Sequence, residues 1–166
     1  DRIAIRHLYA AVLSFFWKVH PSYFCKVGEF LTCDERGKTG FDVLKDYLES
    51  RPENLKQYLL DFLPPKLSDK FGVETFAWVE GLVGEDGVLT HAIKGYNFEV
   101  SQLEEARQQR FENGMTVDRI GQRLKVYQKE DILSFMSRKN VLPKYGFPVD
   151  TVEMTVTDNK RDRGFG

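Results

Sequence analysis

The sequence predicts a mainly α-helical fold, a multi-helix bundle that ends in an extended, partly β C-terminal tail. Apolar residues recur at intervals of three and four through most of residues 2–139, the signature of helices with one buried face. The six prolines fall between those periodic stretches or after them, where they end helices instead of breaking them. Beyond Asn140 the pattern changes, with two prolines and a glycine in the eight residues 141–148 and then a partial alternation. At 166 residues, 42% apolar and 13% aromatic, the chain can bury a real core, and wholesale disorder is excluded. The expected organisation is a helical domain over 1–140 and an extended linker or strand over 141–166 that leads toward a further C-terminal domain.

The first helix is expected from about Arg2 to Val19, where Ile5, Leu8, Ala11, Val12, Phe15 and Phe16 form a face that Leu13 and Trp17 widen. Pro21 ends it, and a short apolar run follows from Val27 to Leu31. After a polar turn, Thr39 is placed to cap a helix bearing Phe41, Leu44, Tyr47 and Leu48, which stops before Pro52. Pro52–Glu53 opens the next, with Leu55, Tyr58, Leu59 and Phe62 on one side and Pro64–Pro65 as its stop. Phe76, Val79, Leu82 and Val83 predict a helix over 73–83.

A longer pattern runs from Val88 toward Glu112, its C-terminal half polar enough to stand in solvent, and Asn113–Gly114 is a stop signal. Thr116 is expected to cap a helix through Val117, Ile120, Leu124 and Tyr127, and a second start near 128–131 leads through Phe135 to about Lys139. Val149, Val152, Met154 and Val156 then read as one half-buried strand. A lone strand needs a partner from elsewhere. With the opening at Asp1 and the polar run at 158–166, that makes the expectation a piece of a larger intracellular protein.

Catalytic signatures are absent. No phosphate-binding loop, nucleophile elbow or His-Glu-x-x-His pair occurs, which argues against ATP hydrolysis, dinucleotide chemistry and zinc proteolysis by this segment itself. Cys25 and Cys33 are eight positions apart and share no ligand spacing with His7, His20 or His91, so buried free thiols are expected. No metal site, cofactor or catalytic residue is assigned. No apolar stretch is long enough for a membrane span and no signal peptide opens the chain, so a cytoplasmic location is the default. The net charge of −1 gives no global attraction to nucleic acid; such a contact would need a local patch.

Arg6–His7 reads as a solvated helix face, Glu104–Glu105 and Glu130–Asp131 as solvating or dipole-compensating acids, and the aromatics as core packing. Arg107, Arg110, Arg119, Arg123, Lys125 and Lys129 are interspersed with acids and read as solvated surface. The run from Ser137 to Pro148 is different. It joins Arg138, Lys139, Asn140, Lys144 and Tyr145 to rigid turn residues in a non-helical segment, which can present side chains and backbone N–H groups to phosphates. It can equally be a hinge packed against a neighbouring domain.

That run, Ser137-Arg138-Lys139-Asn140-Val141-Leu142-Pro143-Lys144-Tyr145-Gly146-Phe147-Pro148-Val149-Asp150 and then Thr151-Val152-Glu153-Met154, resembles one found in large bacterial DEAD/DEAH-box superfamily II helicases that end in a four-cysteine zinc-binding domain. The opening Arg2-Ile3-Ala4-Ile5-Arg6-His7-Leu8 resembles the helix that follows the second RecA-like motor domain in that family. The resemblance implies an accessory helical domain of an ATP-dependent helicase or translocase, one that guides the strand or couples the motor to the zinc domain. ATP, Mg and Zn would then belong to the parent protein, bound by its flanking RecA-like and zinc-binding domains, with DNA rather than RNA as the nucleic-acid partner. The alternative is a helical protein-interaction or scaffold domain that binds no nucleic acid. An enzyme with an unfamiliar site would need a polar pocket that no local spacing predicts.

Overall fold

The structure, a computed structural model, describes residues 2–144. Within them the chain is mainly helical: α1 (Arg2–Val19), a 3-10 turn (Pro21–Tyr23), α2 (Val27–Phe30), α3 (Gly40–Glu49), α4 (Glu53–Phe62), α5 (Pro65–Phe71), α6 (Val79–Val83), α7 (Val88–Glu112), α8 (Asp118–Gln128) and α9 (Ile132–Arg138). No strand occurs among the described residues, and the strand expected over Asp150–Thr157 lies outside them.

Helix α1 is the axis of the core. Its residues from Leu8 to Ser14 are all buried, as are Phe16 and Trp17, so the helix is surrounded on several sides, as its wide apolar face predicts. Leu44 and Leu48 of α3 and Leu55 and Leu59 of α4 close over the same cluster. The Thr39 cap is present: its hydroxyl accepts from the Asp42 N–H at 3.1 Å, and the Asp42 carboxylate accepts from the Thr39 N–H at 3.0 Å.

The helix expected over 73–83 is only α6. Gly72 ends α5 in the left-handed region at φ 68°, and the Val73 and Gly72 N–H groups donate to Ser68 and Asp69 carbonyls, which stops the helix and turns the chain. Phe76 is also left-handed at φ 59°, a strained state for a bulky residue. That turn lets Phe76 and Trp78 both enter the core, with ring centroids 6.0 Å apart, which a continuous helix would not allow two residues apart.

Further along, α7 and α8 make a helical hairpin. Buried residues of α7 end at Tyr96, and α8 buries only Leu124, which is not part of the main core cluster. The polar half of α7 therefore does stand in solvent, with α8 alongside it. Gly114, at φ 73°, completes the turn between them. Thr116 is not the cap of α8: Val117 holds that position, and the Thr116 hydroxyl only accepts a long 3.4 Å bond from the Asp118 N–H.

The base of the hairpin is fixed to the core by backbone. Lys26 and Asp131 form an isolated antiparallel bridge, with Val27 N–H donating to the Glu130 carbonyl and Ile132 N–H to the Cys25 carbonyl. The Lys26 ammonium donates to the Asp131 carboxylate at 3.0 Å over the same junction. Segments 105 residues apart in sequence are thus joined where α2 and α9 begin.

Candidate nucleic-acid interface

The expected binding residues sit at the end of α9 and just beyond it. Arg138 is already engaged: its Nε and Nη2 donate to the two carboxylate oxygens of Glu130 at 3.0 and 2.8 Å, and the guanidinium lies 5.8 Å from the Phe135 ring centroid. The Glu130 carboxylate holds the Arg138 pKa above its ordinary value, with partial burial opposing it. Lys139 is half-buried and its Nζ lies close to Gly95 of α7.

Asn140 has a structural task. At φ 64° it occupies the left-handed position that ends α9, donating its N–H to Ser137 while the Val141 N–H reaches the Met136 carbonyl. Lys144 is exposed, and Tyr145 lies outside the described residues. Of the expected set, the structure brings Arg138, Lys139 and Asn140 to one helix end, but with Arg138 charge-paired and Asn140 committed to the turn.

The acids also have partners. Glu130 and Asp131 were expected as solvating or dipole groups; they are the ion-pair partners of Arg138 and Lys26. Glu104 and Glu105 do stand exposed on α7.

The basic residues of α8 are placed differently. Arg119, Arg123, Lys125 and Lys129 are all exposed, and none makes an ion pair among the described residues. In the sequence they look like ordinary surface because acids are interspersed. Spacing does not show which acids are already neutralised, because that depends on the folded contacts Glu130–Arg138 and Asp131–Lys26.

Between α7 and the start of α8 lies an open groove of about 440 Å³, lined by Glu104, Arg107, Gln108, Phe111 and Val117. Its lining sets one carboxylate, one guanidinium and one amide beside the apolar Phe111 and Val117. Large apolar side chains stand exposed around the hairpin: Phe98 (63%), Phe111 (68%), Met115 (51%) and Val126 (70%). Among the described residues no three His, Cys, Asp or Glu side chains gather to hold a metal, and no helix is long and apolar enough to cross a membrane.

Neither cysteine is buried as expected: Cys25 is half-buried and Cys33 exposed, and both are free thiols. Burial, with Glu29 adding to it, pushes the Cys25 thiol up to about 11 from 9.0. Its thiolate fraction at pH 8 is then about one hundredth of that of an ordinary thiol. Alkylation with iodoacetamide at pH 8, followed by peptide mass spectrometry, should modify Cys33 well ahead of Cys25; equal rates would show that Cys25 is not so enclosed. The sign for stability follows: the folded state holds the Cys25 proton more tightly, so this contribution is full below pH 9 and is lost as pH rises toward 11.

No protein-family model, curated protein or solved structure matches the chain.

Proposed function

We propose that this chain is a non-catalytic accessory domain of an ATP-dependent nucleic-acid helicase or translocase, acting in the cytoplasm to guide a strand or to couple the motor to a C-terminal zinc domain. The observation that carries this reading is the 137–154 run and its resemblance to the segment that joins those parts in large bacterial helicases. Its placement supports a coupling role. Val141 and Leu142 are fully buried in the core cluster, and the Ser137 hydroxyl donates to the Pro143 carbonyl at 3.2 Å. A load applied beyond Lys144 would be passed to α9, and from α9 to α2 through the Lys26–Asp131 junction. ATP, Mg and Zn belong, in this reading, to the flanking motor and zinc domains.

The test is a titration of fluorescent single-stranded and duplex DNA with the 166-residue chain at low and moderate salt. Micromolar binding that weakens steeply with salt is the expected result. Absence of salt-dependent binding at micromolar protein overturns the strand-guiding role. It would favour a second reading, a helical protein-interaction domain, which the exposed Phe98, Phe111, Met115 and Val126 support independently.

A further inference from the structure

We propose that the outward side of α8, through Arg119, Arg123, Lys125 and Lys129, is the surface that holds the phosphate backbone of a nucleic-acid strand. This rests on the strand-guiding reading above and assigns it to different residues from those the 137–144 run offers. Leu124 is the buried side of α8, with Ile120, Gly121 and Tyr127 half-buried beside it. Helical geometry then puts Arg119 and Arg123 along one edge of the outward half and Lys125, with Lys129 at the helix end, along the other.

Arg119 and Arg123 are one turn apart, about 6 Å along the axis, and Lys129 lies about 15 Å from Arg119. Each pair is a short line of two cations on a rigid element, suited to a charge that repeats along a line. The acids that follow in sequence do not compete. Glu130 is held by Arg138 and Asp131 by Lys26, which leaves Asp118, at the start of the helix, as the one acid of 118–131 outside those pairs.

The neighbouring apolar groups decide the type of polyanion. Val126 is exposed on the outward half of α8, and Phe111, exposed near the end of α7, borders the groove beside Val117 at the start of α8. A strand brings flat base faces alongside its phosphates, and an exposed ring such as Phe111 can stack on one; the poly-glutamate used below as a competitor has only its carboxylates to offer.

The test is fluorescence anisotropy of a labelled 20-nucleotide oligo(dT) against three forms of the 166-residue chain. The unsubstituted chain is compared with Arg119→Gln/Arg123→Gln and with Lys66→Gln/Lys70→Gln, an equal charge change at exposed positions of α5. The α8 pair should lose roughly tenfold in affinity, and its salt slope should fall by about 1.4, two contacts at about 0.7 each. The α5 pair should stay within about twofold of the unsubstituted chain. Thermal unfolding of both variants should match the parent, since all four side chains are exposed.

Equal losses in the two variants, or none in either, overturn the α8 assignment while leaving the accessory role standing. So does competition by poly-glutamate as strong, per charge, as by unlabelled oligo(dT), which would make the partner an acidic protein. Failure of the unsubstituted chain to bind at all overturns the strand-guiding reading and the assignment together.

Discussion

Replacing Phe16 by alanine is expected to destabilise the domain by about 3–5 kcal/mol, a large part of the roughly 5–15 kcal/mol that holds a domain folded. Phe16 is fully buried on α1 and sits within a ring cluster, with centroids 4.7 Å from His20, 5.7 Å from Tyr47 and 6.1 Å from Tyr23. Tyr47 belongs to α3 and Tyr23 to the turn after α1, so one side chain joins three elements. Its removal loses the transfer energy of the ring and leaves a cavity that two helices and a proline-bounded turn cannot easily close. Phe62→Ala is the matched control. Phe62 is 45% exposed and, among the described residues, its ring stacks on Tyr58 alone, at 5.9 Å, so its loss should cost about 1 kcal/mol or less. Urea unfolding of the two variants checks this, and comparable midpoint shifts would mean that Phe16 is not the anchor its burial implies.

Phe16 also shows why much of this fold is legible in the sequence. Spacing by three and four is a local property, so it gives α1 and α7 their observed starts and ends, and the α3 cap shows as a polar residue two positions ahead of Phe41, where the apolar pattern begins. The 72–78 segment shows the limit of that signal. Phe76 and Val79 have helical spacing, but the Gly72 turn and the left-handed Phe76 are set by what must enter the core. The candidate interface was less legible for the same reason. The residue types were apparent, yet Arg138 pairs with Glu130 across a helix boundary and Asp131 with Lys26 across 105 residues. Spacing alone does not reveal which charges remain uncompensated once such pairs form.

Gly87→Ala is the second large effect expected, a loss of about 1–3 kcal/mol. Gly87 is the buried residue just before α7, at φ −68° and ψ 154°, a conformation open to any L-residue. On backbone entropy alone alanine there should stabilise by about 0.4–1 kcal/mol. Packing reverses the sign. A Cβ at Gly87 would meet the Leu82 carbonyl group and stand 2.8 Å from the Val83 nitrogen, and backbone atoms cannot rotate aside as a side chain can. The turn must therefore move. It is tightly tied, with Gly87 N–H donating to the Gly84 carbonyl at 3.0 Å and the Thr90 hydroxyl to the same carbonyl at 2.6 Å. Gly121→Ala is the reference, because Gly121 lies inside α8 and a Cβ there meets nothing within 4 Å; it should gain about 0.5–1 kcal/mol. Opposite shifts in the urea midpoint at unchanged slope are the expected pair. A stabilised Gly87→Ala would mean that the α6–α7 turn is looser than its contacts indicate. Because that turn sets the direction in which α7 leaves the core, it would also mean that the hairpin carrying Arg119 and Arg123 is not held at one angle.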